Sequence, residues 1–236
     1  MAVRRIVAMG GGDLRQPYDP ARDAFILSLA RRRRPRVGFV GTASGDSDSY
    51  TASFFRALTS LDCSATDVPL FDRRDRDLRR VVLDLDVVYV GGGNTLSLLA
   101  VWRAHGLDAA LREAWHAGVV LCGVSAGMNC WFEQSVTDSY GLSDLGPLDD
   151  GLGILPGSCC PHYTEDDRRR PLYHQLVGSG TLRDGVAADD GAALLYEDTG
   201  IADVVRWTTE DDAAYRVKRT RSGIHEDRLP SRPLAT

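Results

Sequence analysis

The sequence predicts an α/β protein, a three-layer α/β/α sandwich built on a mostly parallel sheet. Short and almost purely apolar runs end in glycine-rich turns, as residues 87–90 do before Gly91 and residues 118–122 do before Gly123. Segments with helical periodicity separate these runs. Strands that are apolar on both faces are typical of a parallel sheet covered by helices on each side. The alternation of the two patterns therefore indicates the α/β class.

The remaining elements of the first 132 residues follow the same two patterns. Further strands are predicted at residues 5–9, 36–40 and 63–70, the last more polar and therefore nearer an edge. Amphipathic helices are predicted at residues 21–32, 49–61, 95–103 and 107–116.

The pattern loosens after residue 132. Residues 138–170 are rich in Gly, Pro and Asp and predict a long loop, which inside a compact domain is usually functional. A helix is predicted near residues 171–177, and hairpin strands at 192–196, 202–207 and 213–218. The length of 236 residues and the lack of a linker predict one catalytic domain over residues 1–236, with a loosely ordered polar tail from about residue 222.

Composition excludes several classes of function. The net charge of −5 argues against nucleic acid as a partner, and the basic run at residues 31–34 is interpreted as the solvated end of a helix. The sequence contains no run of about 18 apolar residues, so no membrane-spanning segment is predicted. The five cysteines are odd in number and lack a repeated metal spacing. We therefore expect a cytoplasmic protein without a metal site or other cofactor.

The strongest chemical signal is Gly-Val-Ser-Ala-Gly at residues 123–127, directly after an apolar strand. A serine between two glycines at this spacing can occupy a sharp strand-to-helix turn that exposes its hydroxyl. Ser125 is therefore the candidate nucleophile. The N–H of Ala126, at the start of the next helix, is a candidate oxyanion donor.

A serine hydroxyl needs a base to take its proton. Of the five histidines, His162 lies in a loop punctuated by Pro and Gly that is expected near the top of the sheet. An acid that orients the imidazole completes such a triad. Asp138 and Asp190 are both candidates, and sequence reasoning from the residues does not separate them.

A second glycine-rich turn follows a strand at residues 91–94. It lacks the glycine spacing and the downstream acid of a dinucleotide site, and it lacks the lysine of a phosphate-binding loop. We therefore interpret Gly92 or Gly93 as the second oxyanion donor, and Asn94 as a candidate substrate-binding residue. A tight turn without a chemical role is the alternative.

Three ordered motifs resemble the peptidase E and cyanophycinase family of serine peptidases. They are residues 88–95, residues 123–129, and the segment from residue 153 that leads to Pro161-His162-Tyr163. The resemblance runs from about residue 5 to about residue 200, and the Ser-to-His interval of 37 residues agrees with it. It implies a class I glutamine-amidotransferase-like fold, Ser125 as nucleophile, His162 as base, and an acid at Asp138 or Asp190.

The resemblance also implies a substrate class. Peptidase E removes an N-terminal aspartate from dipeptides and a few tripeptides, and an arginine after its histidine loop binds the aspartate carboxylate. Among residues 168–170, Arg169 agrees best by position, with Arg170 as a second candidate. The segment after His162 is shorter than in the enterobacterial enzymes, and the residues after Asn129 differ from theirs, which bears on the strictness of aspartate preference.

Three functions therefore compete. The preferred one is a cytoplasmic serine dipeptidase that acts on small peptides as a monomer or homodimer. The second is a cyanophycinase-like hydrolase that cleaves a β-aspartyl-arginine polymer. The third is a non-enzymatic α/β module that binds a small anion at the glycine-rich strand ends.

Overall fold

A computed structural model describes residues 3–12, 20–72, 77–141 and 144–234. Within those ranges the chain forms two β-sheets and a set of helices, which confirms the predicted α/β class. The strands are β1 (Arg5–Met9), β2 (Arg36–Val40), β3 (Ser64–Asp67), β4 (Val87–Val90), β5 (Val120–Val124), β6 (Phe132–Thr137), β7 (Gly146–Leu148), β8 (Leu155–Cys160), β9 (Gly185–Ala188), β10 (Ala192–Glu197), β11 (Gly200–Arg206), β12 (Ala214–Thr220), β13 (Gly223–Arg228) and β14 (Arg232–Pro233).

The helices connect and cover these strands. They are α1 (Pro20–Ser28), α2 (Asp48–Leu58), α3 (Leu78–Leu83), α4 (Thr95–His105), α5 (Leu107–Ala117), α6 (Ala126–Asn129) and α7 (Arg169–Ser179), with a 3-10 turn at Thr42–Ser44. Among the described residues, no helix combines the length and the apolar character that a bilayer crossing requires.

The larger sheet has eight strands in the order β14-β11-β10-β1-β5-β4-β2-β3. Five adjacent strands of this sheet are parallel: β1, β5, β4, β2 and β3. Beyond β1, strands β10 and β11 continue the sheet in antiparallel pairing. Strands β4 and β5 are buried along their whole length, as the apolar runs predict. Since β1, β5 and β4 are neighbours and parallel, their carboxyl ends meet at one edge.

Helices lie on both faces of the parallel part of this sheet. On one face α1 and α2 pack through Ile26 and Phe54 against side chains of β1, β2, β4 and β5. On the other face α3, α4 and α5 contribute Val82, Trp102 and Leu111 to a second cluster. The parallel half of the molecule is therefore the predicted three-layer sandwich.

A second sheet was not predicted. It has six strands in the order β13-β12-β9-β8-β6-β7, and it packs on the same face as α3–α5, beside them. The Phe132 ring of β6 meets the Tyr196 ring of β10 edge-on at 5.9 Å, and Leu155 joins the shared core. Helix α7 covers the far face through Tyr173 and Val177.

Two sequence predictions are corrected by this sheet. Residues 138–170 do not form one long loop, because β7 and β8 lie within them. Strand β8 reads Leu-Pro-Gly-Ser-Cys-Cys, a composition that hides a strand although its last three residues are buried between β6 and β9. The tail is not loose from residue 222, since β13 pairs with β12 along its length and β14 pairs with β11. Its polar residues suit an exposed edge hairpin.

The cysteines are unpaired thiols. Cys122, Cys130, Cys159 and Cys160 are buried and Cys63 is half-buried. Burial raises the pKa of each buried thiol, to about 12 for Cys160.

We predict that Phe54→Ala costs about 3–5 kcal/mol of unfolding free energy, whereas Phe55→Ala costs about 1 kcal/mol or less. The two residues are adjacent on α2, but Phe54 is fully buried and stacks on Phe39 at 4.8 Å, while Phe55 is 38% exposed. Urea denaturation of both variants measures the difference. Equal losses would contradict the described packing of α2 on the large sheet.

Candidate active site

A cleft of about 420 Å³ opens at the carboxyl ends of β1, β4 and β5. Each of these strands runs into small residues, so the chain turns tightly and leaves room above the sheet. The cleft is lined by Gly11 and Gly12 after β1, by Gly92 and Gly93 after β4, and by Ser125 after β5. The segment between β2 and α2 forms the opposite wall.

Ser125 occupies a sharp turn between β5 and α6. Its φ of 57° and ψ of −110° are unusual for a residue with a side chain. Close packing on both sides holds this geometry, because a Cβ on Gly123 would overlap the Gly127 backbone and a Cβ on Gly127 would overlap the Val90 carbonyl. The turn matches the one that the Gly-x-Ser-x-Gly spacing predicts. It points the hydroxyl into the cleft.

His162 follows β8 of the second sheet and reaches the same cleft. Its φ of 52° is also in the left-handed region, and its N–H donates to the Gly10 carbonyl at 3.3 Å. The imidazole Nε2 lies 2.8 Å from Ser125 Oγ. The structure therefore brings together the serine and the histidine that the sequence singled out.

Asp190 lies on the other side of the imidazole, in the turn between β9 and β10. Its Oδ1 is 2.5 Å from His162 Nδ1, which favours the tautomer with the proton on Nδ1 and leaves Nε2 to accept from Ser125. Asp138 lies elsewhere: its exposed carboxylate accepts from Arg169 Nη2 at 3.2 Å. Of the two acids that the sequence offered, Asp190 is the one beside His162.

Two further carboxyls flank Asp190. Glu165 accepts the Asp190 N–H at 3.0 Å, and burial together with the neighbouring acids raises its pKa. Burial likewise raises the pKa of Asp189, although hydrogen bonds from Thr164 and the Ala213 N–H oppose the change.

The backbone donors near Ser125 differ in availability. The Gly92 N–H donates to the Tyr50 hydroxyl at 3.1 Å, so it is occupied. The N–H groups of Gly93 and Ala126 have no acceptor among the described residues. Gly93 has a φ of 139° and abuts the Ala43 carbonyl so closely that a side chain would collide with it. Gly93 and Ala126, rather than Gly92, are therefore the pair with free N–H groups beside Ser125.

Asn94 does not face Ser125. Its Oδ1 caps α4 by accepting the Ser97 N–H at 2.8 Å, and its Nδ2 donates to the Ser139 carbonyl at 3.0 Å. It lines a neighbouring cleft of about 460 Å³ with Asp138. Both ends of the Asn94 amide are therefore used in hydrogen bonds at the start of α4. This arrangement does not support the predicted contact between Asn94 and the substrate.

The two candidate arginines have separate surroundings, and neither lines the cleft of Ser125. The Arg169 side chain is only 4% exposed, and Asp166 Oδ2 lies 3.8 Å from its Nε. Its Nε and Nη1 make no hydrogen bond within the described residues. The Arg170 guanidinium pairs with Glu226 of β13 and lies over the rings of Tyr163 and Tyr215. Of these two arginines, Arg169 is the one with buried nitrogens that lack a hydrogen bond within the described residues.

Several residues of the cleft were missed by sequence reasoning. Tyr50 and the hydroxyls of Ser44, Ser47 and Ser49 form the wall opposite the sheet. Ser44 ends the 3-10 turn, and Ser47, Ser49 and Tyr50 lie at the start of α2; no motif marks these positions. Gly11 and Gly12 carried a signal, since Gly10-Gly11-Gly12 follows a strand as Gly91-Gly92-Gly93 does.

A hydroxyl, an imidazole and a carboxylate in hydrogen-bonded sequence beside two free N–H groups is the arrangement of serine hydrolases. The sequence profile of Peptidase family S51 matches residues 6–204. The chain belongs to this family and is a serine-type peptidase, which confirms the family resemblance and the prediction of an enzyme.

Individual relatives agree. The chain is 45% identical to the uncharacterized peptidase YgaJ of Bacillus subtilis over 234 residues, which is 98% of this chain and 100% of that protein. It is 30% identical to Peptidase E of Shewanella denitrificans over 166 residues, 70% of this chain and 68% of the relative. A solved peptidase from an acI-B1 actinobacterium shares the fold with a TM-score of 0.75 at 18% identity, covering 97% of this chain and 95% of that one.

We predict that Gly11→Ala lowers peptidase activity roughly 100-fold without unfolding the protein. A Cβ on Gly11 would overlap the carboxylate of Asp190 and push it away from His162. Steady-state kinetics and reaction of Ser125 with a fluorophosphonate measure the effect. Gly178→Ala is the control, because its Cβ would meet Ile224 only at ordinary contact distance. A fully active Gly11→Ala enzyme would contradict the predicted dependence on Asp190.

Proposed function

We propose that this protein is a serine exopeptidase that removes the N-terminal residue, with aspartate preferred, from short peptides. Ser125, His162 and Asp190 form its catalytic triad. The observation that carries the proposal is the unbroken path from Ser125 Oγ to His162 Nε2 at 2.8 Å and from His162 Nδ1 to Asp190 at 2.5 Å. Several relatives of the chain are named Peptidase E, which supports the same activity.

The proposed reaction has two stages. Ser125 Oγ attacks the scissile carbonyl carbon while His162 Nε2 takes its proton, and Asp190 stabilises the imidazolium. The N–H groups of Gly93 and Ala126 bind the oxyanion of the tetrahedral intermediate. His162 then protonates the leaving amine, the C–N bond breaks and an acyl-enzyme remains. Water attacks that ester with His162 again as base, releasing the N-terminal residue as a free acid and restoring Ser125.

The size of the cleft supports a short substrate. Its volume of about 420 Å³ is toward the small end of the roughly 300–1,000 Å³ of ligand pockets. Tyr50, only 9% exposed, and the start of α2 close the side opposite the sheet. A peptide of two or three residues fits such a space better than a long extended chain.

The aspartate preference rests on Arg169. The Arg169 guanidinium is buried and has Asp166 3.8 Å from its Nε, but neither Nε nor Nη1 makes a hydrogen bond within the described residues. A further anion that accepted from these nitrogens would therefore stabilise it. The third nitrogen, Nη2, already donates a hydrogen bond to Asp138. A carboxylate is the ligand whose geometry best matches a guanidinium, so we propose that the carboxylate of the substrate binds here. Because Arg169 does not line the cleft, we propose that the substrate side chain reaches it past Asp138.

We also propose a cytoplasmic location and a monomeric or homodimeric state. Five unpaired cysteines, four of them buried, suit a reducing compartment.

We predict that Ser125→Ala lowers hydrolysis of Asp-X dipeptides by several orders of magnitude and leaves the fold unchanged. Loss of the nucleophile removes the acyl-enzyme route. Product release is measured by chromatography with Asp-Leu, Ala-Leu and a β-aspartyl-arginine polymer as substrates, and Ser179→Ala is the control. Parental turnover by Ser125→Ala would contradict the mechanism. If the β-aspartyl-arginine polymer were cleaved in preference to the dipeptides, the protein would be a cyanophycinase-like hydrolase and not a dipeptidase.

We predict that Asp190→Asn lowers kcat on the order of 10⁴-fold, whereas Asp138→Asn changes it less than about tenfold. An amide at position 190 favours the wrong tautomer of His162, while Asp138 contacts Arg169 and not the imidazole. Kinetics of the two matched variants measure the contrast. The reverse order of effects would assign the triad acid to Asp138.

A further inference from the structure

The C-terminal hairpin, residues 213–228 with strands β12 and β13, lies beyond the residues that the family profile matches. It forms one side of the second sheet, where β12 pairs with β9. It contacts the immediate chain neighbours of both His162 and Asp190.

The first contact reaches Tyr163, the residue after His162. The Tyr163 side chain is completely buried, and its hydroxyl donates to Glu226 Oε2 at 2.5 Å. His174 Nε2 lies 2.7 Å from the same oxygen and 3.0 Å from the Tyr163 hydroxyl, and Arg170 binds Oε1 of Glu226. Burial by itself raises the pKa of Glu226, but the hydrogen bonds from these three side chains outweigh it and lower that pKa. The carboxylate is thus held as an anion at the centre of the cluster.

The second contact reaches Asp189, the residue before Asp190. Asp189 is 2% exposed, and its Oδ2 accepts the Ala213 N–H at 2.9 Å and the Tyr215 hydroxyl at 3.4 Å. Its backbone N–H donates to the Ala213 carbonyl at 3.0 Å. Its Oδ1 accepts from Thr164 at 2.9 Å, which links it to the loop of His162.

These contacts hold a backbone that would otherwise relax. His162 has a φ of 52°, a left-handed conformation that costs free energy in a residue with a side chain. Such a conformation persists only where its surroundings determine it. Tyr163 supplies that restraint: its N–H donates to the Ala188 carbonyl at 3.2 Å and its hydroxyl is bound by the hairpin.

We infer that the C-terminal hairpin is a positioning element of the active site. Glu226 fixes His162 through Tyr163, and Ala213 with Tyr215 fixes Asp190 through Asp189. The inference rests on the proposed function and extends it to residues that touch neither the substrate nor the reacting atoms.

The test uses Tyr163→Phe, which deletes one hydroxyl and keeps the ring, in the full-length protein. We expect kcat to fall about tenfold to 100-fold with KM changed less than twofold, because a small displacement of the base affects the chemical step. Glu226→Gln, which retains an acceptor for the Tyr163 hydroxyl, should lose less than Glu226→Ala. Parental kcat in Tyr163→Phe and Glu226→Ala would overturn the inference.

Tyr173→Phe is the matched control. Tyr173 is equally buried in the same cluster, and its hydroxyl bonds Ser158 at 2.7 Å rather than the hairpin. We expect similar losses of thermal stability for the two phenylalanine variants and a loss of kcat for Tyr163→Phe alone. Equal losses of kcat would show a general effect of a damaged core and overturn the inference.

A double-mutant cycle checks the route of the effect. In a His162→Ala background, Tyr163→Phe should lower the residual rate no further, since the group it positions is gone. The same fold-loss in both backgrounds would mean that Tyr163 acts by another path, and would overturn the inference.

A spectroscopic measurement separates this inference from the proposed function. We expect the proton on His162 Nδ1, which is hydrogen-bonded to Asp190, to give a downfield NMR resonance that can be measured without turnover. We expect Tyr163→Phe to shift or broaden it and Tyr173→Phe to leave it in place. If the parent protein hydrolyses no peptide but this contrast appears, the proposed function fails and the positioning role stands. An unchanged resonance in Tyr163→Phe overturns the positioning role whatever the activity.

Discussion

The close approach of backbones around Ser125 is the constraint on which the site depends. Gly123 and Gly127 lie against neighbouring main chain at distances that exclude any side chain, and the turn they allow gives Ser125 its left-handed φ. The Ser125 N–H donates to the Met9 carbonyl, so the turn is also tied to β1. The backbone of Ser125 is therefore held by the packing of the sheet in a conformation that the residue would not adopt by itself.

The other two members of the proposed triad come from a different part of the fold. His162 follows β8 of the second sheet, and Asp190 lies where the chain passes from β9 in that sheet to β10 in the first. Their alignment with Ser125 is set by the shared core between the sheets, in which Phe132, Leu155 and Tyr196 take part. The site is thus a product of sheet stacking as well as of the strand-to-helix turn.

Sequence reasoning found the parts of this architecture that local patterns encode. The apolar runs of β4 and β5 predict buried parallel strands, and both strands are present. The glycines around Ser125 predict a tight turn, which is also present. The second sheet was hidden because β8 contains proline, glycine and small residues, and because the exposed strand β13 is mostly polar. Asp138 and Asp190 could not be separated, since only the fold shows which carboxylate meets the imidazole. The position of Tyr50 in the cleft could not be predicted, because an aromatic residue near the start of a helix usually packs in the hydrophobic core.

The division of the site between two sheets has a consequence for its durability. Proteins open locally in cooperative units before they unfold as a whole. An opening that parts the second sheet from the first would carry His162 away while Ser125, locked to β1 and β4, stayed in place. Ser125 would keep its geometry without the imidazole beside it, so the proposed activity would be lost at temperatures where most of the secondary structure persists.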